Sequence, residues 1–190
     1  MMRRVKTAAA LVAFLSATSW AWRARAINQD EWQMALRAGA AVVHVDGRNP
    51  WGPAGALDLA YGILDAWALR LSFEGSYYSV DKQTKPALPG GTIDVESALV
   101  GITYTLDIMR LVPYGDLEVG VARFGGAVTA PLTAAAAELG LGADYYLTRH
   151  WLAGASIQYL YSPSNLLSNP QGLGDSPFMF SVTARLAYGF

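Results

Sequence analysis

The chain has 190 residues, 53% of them hydrophobic, with 14 basic and 15 acidic side chains, 19 glycines and 10 tyrosines. A net charge of -1 without a basic stripe argues against a nucleic-acid partner. The absence of cysteine excludes disulfides, thiolate metal sites and a lipid-modified N-terminal cysteine.

Residues 1–26 read as a cleaved secretory signal peptide. Arg3, Arg4 and Lys6 make a positive start, Thr7 to Leu15 is apolar, and Ala24-Arg25-Ala26 fits a small-residue cleavage site, with Ser19-Trp20-Ala21 as second choice. The apolar stretch is shorter than the ~20 residues of a spanning helix. The mature chain is expected to begin near Ile27 and to form one domain, residues 27–190. Beyond the signal no long apolar run suits a membrane helix, so the high apolarity and the glycine and tyrosine content point to strands.

Eight strands are predicted: Trp32–Val45, Gly55–Ile63, Trp67–Val80, Thr92–Thr105, Val112–Phe124, Thr133–Leu147, Trp151–Tyr161 and Phe178–Phe190. Their connections alternate. Leu64-Asp65-Ala66, Leu106–Leu111 and Thr148-Arg149-His150 are short; Asp46–Ala54, Asp81–Gly91, Gly125–Leu132 and Ser162–Pro177 are mostly longer and richer in Gly, Pro, Asn and Ser. Short turns at one end and long loops at the other match an outer-membrane barrel.

Most strands split into two faces with period two. The last one sets Phe180, Val182, Ala184, Leu186, Tyr188 and Phe190 against Ser181, Thr183, Arg185, Ala187 and Gly189. Strand three sets Leu69, Leu71, Phe73 and Tyr77 against Arg70, Ser72, Glu74 and Ser76, and strand six sets Leu139, Leu141 and Tyr145 against Glu138, Gly140, Gly142 and Asp144. Charge and glycine share the polar face. In a narrow barrel interior, glycine makes room for a few long charged side chains, and the apolar face then meets lipid. Gly140 and Gly142 are read in this way, not as a dinucleotide fingerprint, and Ala134–Ala137 as the outer end of strand six. Strand four mixes its parities, because Val95 and Leu99 oppose Val100, Ile102 and Tyr104; a β-bulge is expected there.

Aromatics sort by height. Trp32, Trp67 and Trp151 begin odd strands, while Tyr61, Tyr104, Tyr145, Tyr188 and Phe190 end even ones, which predicts an interface girdle at the turn end. Counting from that end puts Arg37, Asp58, Arg70, Asp116, Glu118, Asp144 and Arg185 in one lumenal charge layer. Isolated buried charges would be costly, so they are expected to pair, as a plug or as an ion gate.

These patterns resemble the small eight-stranded outer-membrane barrels of the OmpA/OmpX-type and OmpW-like families. The segments that carry the resemblance are Leu111–Gly120, Leu139–Trp151 and the terminal Phe190. The resemblance implies a closed eight-stranded antiparallel up-and-down transmembrane β-barrel, integral to the outer membrane of a Gram-negative bacterium. It implies assembly by the barrel-assembly machinery, with Phe190 as C-terminal assembly signal, outer-membrane lipids including lipopolysaccharide as surroundings, and a monomer. With the sequence ending at Phe190, the peptidoglycan-binding domain that OmpA proteins carry after their barrel is not expected.

Little points to chemistry. His150 sits in a turn, and His44 ends strand one near Asp46 without a Ser two residues away, as a lipid-deacylating barrel would need. Two distant histidines make no metal site. No catalytic residue, metal or cofactor is expected. The expected role is structural, or interaction through the loops. One rival is OmpW-like binding and transport of small apolar molecules, supported by the apolar loop Gly125–Leu132; an apolar upper lumen would favour it, a charged or filled one the structural role. The other is a lipid-modifying enzyme.

Overall fold

A computed structural model describes residues 29–84, 87–88, 90–106, 110–128, 131–163 and 176–190; the expected signal peptide lies outside them. Ten strands are β1 (Trp32–His44), β2 (Trp51–Leu64), β3 (Trp67–Val80), β4 (Gln83–Thr84), β5 (Ala87–Leu88), β6 (Gly91–Thr105), β7 (Leu111–Gly126), β8 (Leu132–Tyr146), β9 (Trp151–Tyr161) and β10 (Phe178–Gly189). Eight of them close an antiparallel barrel in the order β1-β10-β9-β8-β7-β6-β3-β2, and β4 and β5 form a small ladder within the β3–β6 connection. Closure runs from Gln33 opposite Gly189 to His44 opposite Phe178. Trp32 and Phe190 extend it by exchanging backbone hydrogen bonds of 2.9 and 3.0 Å. Every wall strand therefore has two partners, and the barrel has no free edge.

The alternation inferred from the sequence governs burial. On β3, Leu69, Leu71, Phe73 and Tyr77 are exposed, while Arg70, Ser72, Glu74, Ser76 and Tyr78 are buried. Leu117, Val119, Leu139, Leu141, Ile157 and Leu186 likewise project outward. A soluble protein does not show a belt of that size to water; around a barrel it is the lipid-facing band.

Two expectations about the wall are corrected. β6 has no bulge: its register to β3 and to β7 runs unbroken, and Ile93, Val95, Ser97, Leu99 and Thr103 all point inward. The mixed parities arise because the lumen changes chemistry with height. Near the loops its lining is apolar, so the inward residues there are apolar too. The register shift instead lies between Gly62 and Leu64, where β2 meets β3.

The second correction concerns β2, which starts at Trp51 rather than Gly55, so Asp46–Ala54 is not a long loop. Val45 and Arg48 exchange backbone hydrogen bonds around Asp46 and Gly47, both at positive φ (51° and 68°). Asp-Gly suits that two-residue turn because its geometry follows the twist of the paired strands. Pro53 is tolerated near the strand start; it lies opposite Ala40 of β1, and the β2–β3 register begins only at Ala54.

Candidate functional site

The lumen is two chambers of opposite chemistry. In the turn-side half, the seven charges assigned to one layer all turn inward, each 8% exposed or less. They form a single ionic network. Asp58 is its hub: Arg37 Nη2 lies 3.0 Å away, Arg70 Nη2 2.9 Å and Arg185 Nε 3.9 Å. Arg70 spreads its three nitrogens over three carboxylates, reaching also Asp116 at 2.5 Å and Glu118 at 3.1 Å. Arg185 pairs with Asp144, donates to Gln33 Oε1 at 2.8 Å and sets its guanidinium 5.1 Å from the centre of the Tyr114 ring. Thr103 donates to Asp116 at 2.7 Å, and Ser72 donates to Glu118. Such geometry lets ionised groups stay in a protein interior, because each charge meets partners that replace lost water.

Glycine sets the space. A Cβ on Gly140 would stand 2.8 Å from Asp116 Oδ2, and one on Gly142 would collide with the Tyr114 ring. Below the network a small cavity lined in part by Asp58, Arg70, Tyr114, Asp144 and Arg185 leaves about 20 Å³ for water centres, room for a water or two. On the β9–β10 wall a neutral ladder takes over. Ser181 donates to Gln158 at 2.9 Å, Gln158 donates to Ser156 at 2.6 Å, and Ser156 and Thr183 bond at 2.9 Å.

Two further carboxylates belong to this interior and were not in the expected layer. Glu74 and Glu138 are 6% and 1% exposed. The sequence signal was present, since both lie on the charged parity of their strands. Glu138 is moreover the direct cross-strand partner of Glu118.

The loop-side half is apolar and full. Val43, Tyr78, Ile93, Val95, Leu99, Phe124, Leu160 and Met179 pack there, each 2% exposed or less. Ala127 and Val128 join them, so this part of the apolar loop folds into the barrel mouth; Thr129 and Ala130 lie outside the described residues. Arg48, on the β1–β2 turn, reaches over this packing and donates to the Ala127 carbonyl at 2.5 Å. It also lies 3.5 Å from Asp46.

All eight aromatics of the expected girdle sit at the turn end. Trp32 faces Tyr61, Trp67 faces Tyr104 and Trp151 faces Tyr188 across strand pairs, with ring centres 4.8, 4.8 and 5.0 Å apart. Tyr145 faces Leu111 instead, and Phe190 lies 6.2 Å from Tyr188. An outward group at the other end, Trp51, Tyr77, Tyr159 and Tyr161, was not anticipated. The histidines have structural neighbours. His44 Nδ1 lies 2.7 Å from Asn49 Oδ1 and its ring stacks on Phe178, while His150 Nδ1 lies 3.0 Å from the Gly189 carbonyl.

A family model described as "Outer membrane protein beta-barrel domain" matches residues 7–185. No curated protein matches the sequence. Among solved structures, Neisserial surface protein A is similar at a TM-score of 0.62 and 14% identity, with 84% of this chain and 97% of that one covered. Ail, the attachment invasion locus protein of Yersinia pestis, gives 0.54 and 20%, covering 85% and 99%. The outer membrane protein OprG from Pseudomonas aeruginosa gives 0.53 and 17%, covering 86% and 98%. At these identities the likeness is one of fold. With the family match spanning nearly the whole chain, this protein belongs to the outer membrane protein beta-barrel domain family and is a Gram-negative outer-membrane barrel.

Proposed function

We propose that this barrel is a closed, non-enzymatic outer-membrane protein with a structural role, or one exerted through its external loops. The observation that carries this reading is the lumen: an ionic network fills one half and packed apolar side chains fill the other. Eight strands leave an interior that side chains can fill. The charge layer then acts as a plug that ties opposite walls together. The two histidines bond to an amide and a backbone carbonyl, not to a serine that they could activate. The turn-end aromatics would sit at the membrane interface, and Phe190 would be the handle for the barrel-assembly machinery. Lipopolysaccharide and phospholipid would surround a monomer. Liposome swelling in small sugars tests the closed lumen; the expected rate is that of protein-free vesicles, and rapid swelling would refute it.

One observation favours a second reading. The upper lumen is apolar, as binding of small apolar molecules requires, although Tyr78, Phe124 and Leu160 now occupy it. Quenching of a tryptophan placed at Phe124 by an apolar ligand would support that reading. Unchanged fluorescence favours the plug.

A further inference from the structure

Arg48 is buried away from the charge network. It is 6% exposed although it stands on the β1–β2 turn at the barrel mouth. A guanidinium over apolar packing is costly unless its N–H groups find acceptors. Two acceptors are in place. Nη2 donates to the Ala127 carbonyl at 2.5 Å, a charge-assisted bond from the β1–β2 turn to the chain just past β7. The same atom lies 3.5 Å from Asp46 Oδ2 in its own turn. The paired backbone bonds of Val45 and Arg48 hold that turn tight, so both residues start from a fixed frame.

The other side of the contact is shaped to receive it. β7 ends at Gly126, whose φ of 76° turns the chain over the mouth. A side chain there would collide with the Thr92 carbonyl oxygen. That carbonyl, on β6, accepts the Ala127 N–H at 2.8 Å. Gly91, at a φ of 138°, leaves room for the Ala127 methyl, which lies 3.5 Å from where a Cβ would stand. Ala127 and Val128 are then 8% and 7% exposed and pack with Val43, Ile93 and Phe124. The N–H of Ala127 is thus tied to β6, and its carbonyl to the β1–β2 turn.

We propose that Arg48 is a latch that holds Gly126–Val128 as a lid over the apolar half of the lumen. The proposal rests on the closed-lumen reading and names the device that shuts its loop side. Gly126 is the hinge, Thr92 holds the near edge of the lid, and Arg48 holds it from the β1–β2 turn. Without the Arg48 bond, Val128 is kept in place by apolar packing and by the single backbone bond to Thr92. A hydrogen bond from a charged donor shifts such an opening equilibrium by about tenfold or more. An apolar molecule entering the upper lumen from the loop side has to break this contact first.

The sequence has no cysteine, so V128C carries a single thiol beneath the latch. The test is its labelling by a charged maleimide in the folded full-length barrel in detergent micelles. Labelling through a briefly open state tracks the opening equilibrium. V128C alone should label slowly, and adding R48M or R48Q should raise the rate about tenfold or more. Where R48M does not fold, R48Q decides. Adding R123Q, on the exposed outward pair with Glu96, should leave the rate unchanged. Fast labelling with Arg48 present overturns the latch, and so does a rate that neither Arg48 variant raises. Liposome swelling by the parent tests the underlying reading separately: rapid swelling overturns the closed lumen and the latch with it, whereas unchanged labelling in a barrel that does not swell sinks the latch alone.

Discussion

Arg37 and Arg185 are direct cross-strand partners on β1 and β10, two like charges side by side in the barrel wall. Glu118 and Glu138 repeat the arrangement with opposite sign on β7 and β8. Neighbours along a sheet with equal charge repel. Here Arg37 and Arg185 find their counter-charge at Asp58 of β2 and Glu118 at Arg70 of β3, while Glu138 has only a 3.9 Å approach from Arg37. The network thus binds wall to wall and not only strand to neighbouring strand.

Removing the hub should expose that dependence. Asp58→Asn deprives three arginines of a shared carboxylate, and a broken buried pair costs about 3–5 kcal/mol. Arg185→Ala, which strands Asp144, should cost a similar amount. Arg123→Ala breaks only the 3.1 Å pair with Glu96, whose side chains are more than half exposed, and should change stability by less than about 1 kcal/mol. Urea midpoints in lipid vesicles give the ranking; equal effects for Asp58 and Arg123 would contradict it.

Lipid contact makes a different demand. Leu141 and Ile157 face each other across β8 and β9 and project outward. Replacing either with Arg should cost about 2–4 kcal/mol if it lies near the bilayer midplane, well beyond the Ala variant. Folding yields into vesicles check this, and tolerated Arg variants would invert the assignment of faces.

Glycine in the lumen should be irreplaceable where charge fills the space. Gly140→Ala would push Asp116 away from its 2.5 Å contact with Arg70. Overpacking of this kind costs about 1–3 kcal/mol. The outward position Ala143 should accept Val with little loss, measured in the same unfolding assay.

Processing can be checked by intact mass of the protein from outer-membrane fractions. The expected mature start is near Ile27, from the charge and apolar pattern before Ala24-Arg25-Ala26. A mass that retains Met1, or a soluble pool, would contradict it.

Strand number, closure and facing were legible because period-two alternation is imposed residue by residue by lipid outside and a crowded polar lumen inside. Counting residues from the turn-end aromatics sufficed to bring Arg37, Asp58 and Arg70 to one height, since antiparallel neighbours keep register over many residues. The same logic failed on β6. A uniform polar lumen was assumed, so inward Val95 and Leu99 looked like a register error. Loop composition misled at Asp46–Ala54, where Asn49, Pro50 and Pro53 outweighed the Asp-Gly hairpin signal. Glu74 and Glu138 escaped because the layer was drawn by height from the turn end, and both lie farther along their strands than the residues counted into it.

Single-channel recording in planar bilayers tests the closed lumen most directly. The parent barrel should add no conductance steps at neutral pH, because the Asp58 network and the Tyr78–Phe124–Leu160 packing close the lumen in series. Steady ion conductance through the unmodified protein would contradict a closed barrel. Conductance that appears only in a folded Arg185→Ala variant would make the charge layer a gate and not a plug.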